Sequence, residues 1–109
     1  IVSNAHKNYI LKVLKKNNLY DYFKGNVTSC TGKIPYKPFK NGYVIGSKKL
    51  GLKVNEVLVI EDSDVGIEAA LKAKVHKVLR HTNNNKNLPR KIKYRVPKLM
   101  GYKNFEKFF

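Results

Sequence analysis

Residues 57–70 read VLVIEDSDVGIEAA, and five of the chain's seven acidic residues fall between Glu56 and Glu68. The run Val57–Ile60 is uninterruptedly apolar, as in strands buried on both faces of a parallel sheet. A helix follows at once: Ser63 or Asp64 is the expected cap, and Ile67, Ala70 and Leu71 recur on one face. A strand running directly into a helix places Glu61 and Asp62 at a strand's carboxyl end, where open α/β sheets expose their ligand crevice. Two adjacent carboxylates repel each other. They stand there either as a solvated acidic helix start, favoured by the helix dipole, or as a pair neutralised by a hard cation such as Mg²⁺.

Upstream of this stretch the pattern alternates in the same way. Ile1-Val2 reads as a strand end leading into Ser3-Asn4, and Ile10, Leu11, Val13 and Leu14 predict a helix over about Lys7 to Lys16. Leu19, Tyr22 and Phe23 are apolar anchors in the connection, with Asp21 among them in a loop. A short strand is expected over residues 26–30, stopped by Gly32. Pro35 and Pro38 exclude regular structure before residue 39, and Tyr43, Val44, Ile45 and Leu50 predict a second helix with a glycine stop at Gly51, weakened by Gly42 and Gly46. Downstream, Lys77-Val78-Leu79 reads as a short final strand. The expected fold class is therefore α/β, an open parallel sheet flanked by helices. Its functional groups are expected at Ser3-Asn4, Cys30-Thr31, Glu61-Asp62 and His81-Thr82. Residues 1–82 make up the core, and residues 83–109 form a basic tail that either stays solvated or packs on it.

The formal charge of +16 comes from 23 basic residues against seven acidic ones. It favours weak, salt-sensitive association with polyanions, although abundant Lys and Asn also fit an AT-rich genome. An apolar content of 42% permits a core, and 109 residues allow one domain at most. A single cysteine, Cys30, makes no internal disulfide and fits a reducing compartment. With no membrane-length apolar run and no recognisable secretory signal, a soluble cytoplasmic protein that does not bind membranes is the expectation. The chain begins with Ile rather than Met, inside an apparent strand, which suggests a fragment.

Taken singly, Ser3 and Asn4 read as a helix cap that also suits hydrogen bonds to phosphate, and Lys37 as a lysine pinned by Pro38 where it can face an anion. In their order and spacing the motifs resemble the haloacid dehalogenase superfamily of phosphohydrolases, in the subgroup of β-phosphoglucomutase and phosphoglycolate phosphatase. "IVSN" is similar to the family's second motif and "KPFKNGYVIGSKKLG" to its third, while "VLVIEDSDVGIEAA" matches the fourth at every specified position. The resemblance implies a partial Rossmann-like sheet and a Mg²⁺-dependent hydrolysis of a small phosphorylated metabolite through an aspartyl-phosphate. It implies that Ser3 and Lys37 act in catalysis, and that Ser3, Asn4 and Lys37 bind the phosphoryl group. Asp62, helped by Glu61, would hold Mg²⁺, and Ser63 would orient these carboxylates. Lys33 in "TGK" rivals Lys37, but Pro38 favours Lys37.

The family's first motif, which carries the attacking aspartate, is absent. Asp21 and Asp64 do not fit its pattern, so this chain alone is expected to be inactive. In the family's sheet the nucleophile strand lies between the strand ending at Ser3 and the one ending at Glu61. Without it, two half-sheets with facing unpaired edges are expected, each buried unpaired group costing roughly 1–3 kcal/mol. A segment preceding Ile1, a complementing chain or a rearranged pairing would close the gap. The selective cap would also lie upstream, which leaves the substrate unnamed. Lys74, where the family usually has Gly, predicts a strained or differently ended helix. The alternative function is a non-catalytic basic remnant or nucleic-acid-binding module, though the lysines are scattered and no aromatic-basic motif appears.

Overall fold

The computed structural model describes residues 1–81 and 98–99. Its elements run β1 (Val2–Ser3), α1 (Lys7–Lys16), α2 (Tyr20–Phe23), β2 (Thr28–Ser29), α3 (Asn41–Lys49), a 3₁₀ turn (Val54–Glu56), β3 (Leu58–Glu61), α4 (Asp64–Lys72), β4 (Lys77–His81) and β5 (Lys98–Leu99). The α/β alternation expected from the sequence is present, and the strands form two separate parallel sheets. β1 pairs with β2 through Val2↔Thr28 and Ser3↔Ser29. β3 pairs with β4 from Leu58↔Lys77 to Glu61↔Arg80, and β4 pairs with β5 through Arg80↔Lys98 and His81↔Leu99. β1 and β3 do not pair with each other.

Each half-sheet has its own apolar cluster. Beneath β1–β2, Ile10 and Leu14 of α1, one helical turn apart, meet Val27, with Tyr20 and Phe23 packed alongside. Beneath β3–β4, Ile67, Ala69 and Ala70 of α4 pack with Val59, Val78 and Tyr43. Ile67 is fully buried, a burial that contributes about 1.5–3 kcal/mol. Tyr43 comes from α3, and α3 also lies on β1 and β2, so this one helix spans both halves.

The glycines of α3 make that seat possible. A Cβ at Gly42 would stand 2.4 Å from Cys30 Sγ and 2.8 Å from a Val2 methyl, and one at Gly46 would stand 2.9 Å from the other Val2 methyl. Residues that weaken the isolated helix are therefore what lets it approach the strands.

The three long helices among the described residues end alike. Asn18, Gly51 and Lys74 take left-handed φ values of 55°, 70° and 63°. In each case the next residue's N–H reaches back five positions: Leu19 to Leu14 O, Leu52 to Ser47 O and Val75 to Ala70 O. These are Schellman caps, and Lys74 occupies the position glycine prefers. The sequence-based expectation of strain there holds, in an otherwise regular helix end.

Several expectations need correcting. β4 is not the final strand, since β5 pairs beyond it; the Lys-rich surroundings of residues 98–99 hide any strand pattern. Other expectations about residues 82–97 and 100–109, including Thr82 and most of the tail, lie outside the described residues. Asp21 sits in the first turn of α2 rather than in a loop, paired with Lys24 on the surface. Tyr22, read as an apolar anchor, is 79% exposed. β3 is not buried on both faces. Val59 and Glu61 point into the α3/α4 layer, while Ile60 on the opposite face remains 44% exposed.

Candidate active site

Ser3-Asn4, Lys37 and Glu61-Asp62 are brought together where β1 and β3 end, and Lys37 is the link between them. Its Nζ donates to Val2 O at 3.3 Å and to Glu61 Oε1, while its backbone is held by Asn4. Asn4 Oδ1 accepts from Lys37 N at 2.7 Å, and Asn4 Nδ2 donates to Lys37 O at 3.2 Å. Asn4 thus works as a clamp on the lysine's backbone, a role its position after Ser3 does not reveal. Lys33 is exposed, while Lys37 lies between the two strand ends.

The Lys37 and Glu61 side chains are 8% and 7% exposed. A buried pair of this kind persists only when its remaining hydrogen-bonding capacity is met. Glu61 Oε1 accepts from Lys37 Nζ and from Tyr43 OH, the latter at 2.6 Å. Its Oε2 accepts from Ser63 Oγ at 2.8 Å and Ser63 N at 3.3 Å. Four donors fill the roughly four lone-pair positions of a carboxylate. Burial by itself would raise the Glu61 pKa, but Lys37, Tyr43 and Ser63 outweigh it and hold the carboxyl below its ordinary range. The Tyr43 hydroxyl is pushed well above its usual value by burial and by its bond to Glu61.

Ser63 has two tasks. Besides donating to Glu61, its Oγ accepts from Gly66 N at 3.1 Å as the N-cap of α4. Gly66 is required beneath the carboxylate, since a Cβ there would fall 2.0 Å from Glu61 Cδ. The spacing from Glu61 through Ser63 to Gly66 is one local machine for fixing a buried carboxylate. Ser63 is legible in the sequence as a helix cap, whereas Tyr43 reads there as an apolar helix position. The aromatic residue six positions after Lys37 is a detectable signal, but its hydroxyl's target requires the fold.

The first half-sheet contributes hydroxyls. Ser3 Oγ accepts from Ala5 N at 3.1 Å, which leaves its own hydrogen to donate to a ligand. Ser29 Oγ donates to Ala5 O at 2.7 Å, so in its 2.9 Å contact with Thr31 the donor is Thr31. Cys30 is fully buried under α3; burial raises its thiol pKa, the nearby Lys37 opposes the rise and Glu61 adds to it. At the end of β4, Arg80 donates to Asp64, whose side chain is half-exposed.

Asp62 is exposed at the mouth of this network. Carboxylate oxygens suit Mg²⁺, which keeps several waters and needs few protein ligands. The fit is partial. The described residues contain no group of three His, Cys, Asp or Glu side chains placed to hold a metal, and Glu61 has no vacant lone pair unless Ser63 or Tyr43 lets go. Among the described residues no helix is long and apolar enough to cross a membrane.

Residues 1–79 match the family model of the haloacid dehalogenase-like hydrolases. The chain belongs to that family. A haloacid dehalogenase-like hydrolase domain-containing protein of Arabidopsis thaliana is 40% identical over 48 residues, which cover 44% of this chain and 15% of the relative. Among solved structures, a conserved haloacid dehalogenase-like protein of unknown function from Agrobacterium tumefaciens superposes with a TM-score of 0.75 at 24% identity, over 90% of this chain and 46% of its own. A protein provisionally assigned as a beta-phosphoglucomutase, from Thermotoga maritima, gives a TM-score of 0.72 at 23% identity, over 86% of this chain and 43% of its own. At these identities the two structures establish the haloacid dehalogenase fold. The chain spans under half the length of either, and a smaller share of the curated relative.

Proposed function

We propose that this chain forms the phosphate-facing and cation-facing half of a hydrolase for small phosphate esters. The observation that carries the reading is the bridge from Lys37, whose ammonium bonds both the β1 edge at Val2 O and the Glu61 carboxylate. It is a buried positive charge between a hydroxyl-bearing strand end and a carboxylate-bearing one, where a dianionic phosphoryl group gains most from it. Ser3 donates its hydroxyl to a phosphoryl oxygen, Asn4 keeps the Lys37 backbone in place, and Ser63 orients Glu61. Mg²⁺, when bound, supplies charge neutralisation of the phosphoryl oxygens, and Asp62 is the residue that would hold it, with Glu61 joining only after releasing a present donor.

The attacking carboxylate comes from polypeptide outside residues 1–109. It displaces the alcohol from phosphorus to form an aspartyl-phosphate, and water then releases phosphate and restores the carboxylate. Neither Asp21, on the surface of α2, nor Asp64, engaged by Arg80, is placed to serve.

The test supplies a family-type segment bearing the first motif, fused or as a separate chain, and follows phosphate release from p-nitrophenyl phosphate with and without Mg²⁺. Activity should need both additions and fall by about two orders of magnitude in Asp62→Ala or Lys37→Met. Activity that survives Asp62→Ala unchanged would remove that residue from the site.

A further inference from the structure

Side chains alternate along the turn from β3 into α4. Ser63 has extended backbone, with φ −104° and ψ 145°, so the residues before and after it project to one side and Ser63 to the other. Glu61 and Ser63 share the inner side, where Ser63 Oγ donates to Glu61 Oε2. Asp62 and Asp64 share the outer side, open to solvent and about 7 Å apart along the chain. Two carboxylates so placed offer a hydrated divalent cation a ligand pair. Arg80 prevents it. This residue lies opposite Glu61 in the β3–β4 ladder and leaves the sheet on the same face. Four donors already fill Glu61, so the guanidinium passes on to Asp64 and donates from Nη1 to Oδ1. The Arg80 side chain is 9% exposed against 49% for Asp64, and its buried Nε–H has no acceptor among the described residues. Burying a guanidinium with one donor unmet is unfavourable by itself. An incidental surface pair carries no such cost.

We propose that Arg80 is a positioning residue for the cation site: by binding Asp64 it keeps that carboxylate off the cation and leaves Asp62 as the one carboxylate of the turn free to take it. The inference rests on the reading of Asp62 as the residue that would hold Mg²⁺. Glu61 is engaged by Lys37, Tyr43 and Ser63, and Asp64 by Arg80. Two of the turn's three carboxylates are therefore taken, one by a lysine and the other by an arginine. A lone aspartate holds Mg²⁺ weakly, because this ion gives up its waters reluctantly and needs further oxygen ligands. Those oxygens have to come from the phosphate ester or from polypeptide outside residues 1–109. Arg80 thereby makes loading of the cation conditional on the rest of the site, whereas a free Asp62–Asp64 pair would capture it beforehand.

The probe is Mg²⁺ itself, added to the full chain carrying aspartate labelled with ¹³C at the side-chain carboxyl. The sequence holds three aspartates, and Asp21, paired with Lys24 on α2, is the internal control. In the wild-type chain the Asp62 carboxyl resonance should move with Mg²⁺ while those of Asp64 and Asp21 stay. In Arg80→Gln, Asp64 should move together with Asp62, and the apparent affinity should rise about tenfold, because one carboxylate is released and one positive charge removed. A purely structural role predicts the reverse, since loosening the turn can only weaken binding. Movement of Asp64 in the wild-type chain overturns the inference, and that result needs no variant to fold. So does a folded Arg80→Gln chain that binds Mg²⁺ no more tightly than wild type. If Asp62 stays still in both chains, the reading of Asp62 as the cation's holder fails and this inference with it; if Asp62 moves while Arg80→Gln adds nothing, only the role of Arg80 is lost.

Discussion

The two half-sheets are built on opposite terms. β1–β2 has a short ladder of two paired positions but is sandwiched, with α3 on one face and the α1–α2 cluster on the other. β3–β4 pairs over four positions, yet Ile60 leaves part of one face open among the described residues. Their chemistry is likewise divided: the first ends in hydroxyls and an amide, the second in carboxylates. Neither is a site by itself. What joins them is Lys37, with α3 behind it and Tyr43 reaching across, so the candidate site is an interface between two small units and its integrity measures their coupling.

The strongest way to break that coupling is Lys37→Met. It strands the Glu61 carboxylate in a buried setting and should cost about 3–5 kcal/mol in chemical denaturation. Adding Glu61→Gln in the same chain should recover much of the loss, because the uncompensated charge is then gone. If the single variant loses less than about 1 kcal/mol, the halves do not depend on this pair.

Acid should uncouple the halves through the same residue. The folded-state pKa of Glu61 is depressed, so its contribution is fully present above its unfolded value of about 4.3 and is lost as pH falls through the lower folded value. Circular dichroism during acid titration should show a steep loss of structure that flattens in Glu61→Gln; identical profiles would mean that other carboxylates govern acid unfolding.

A smaller effect lies wholly within the second half. Lys74→Gly relieves a left-handed residue without touching the site and should stabilise the chain by about 1 kcal/mol. A neutral or destabilising result in thermal melts would show that Lys74's side chain compensates for its backbone.

Much of this organisation was legible in the sequence because it is periodic or local. The boundaries of α1, the cap at Ser63, the glycine stop at Gly51 and the strand before Glu61 follow from side-chain spacing and capping chemistry. The separation of the strands into two sheets was also legible, since the resemblance implies a central strand that these residues lack. What escaped was contact between distant positions. Tyr43 looks like any apolar helix residue until the fold carries its hydroxyl to Glu61, and Asn4 looks like a ligand donor until it closes on Lys37's backbone. The exposure of Ile60 depends on what covers the sheet, which four apolar residues in a row do not encode.

Cys30 turns this architecture into something measurable without mutation. It is the sole thiol in the sequence, sealed beneath Gly42 with its pKa raised, so an alkylating reagent reaches it only when α3 lifts from β2. The rate of labelling is then a clock for that opening.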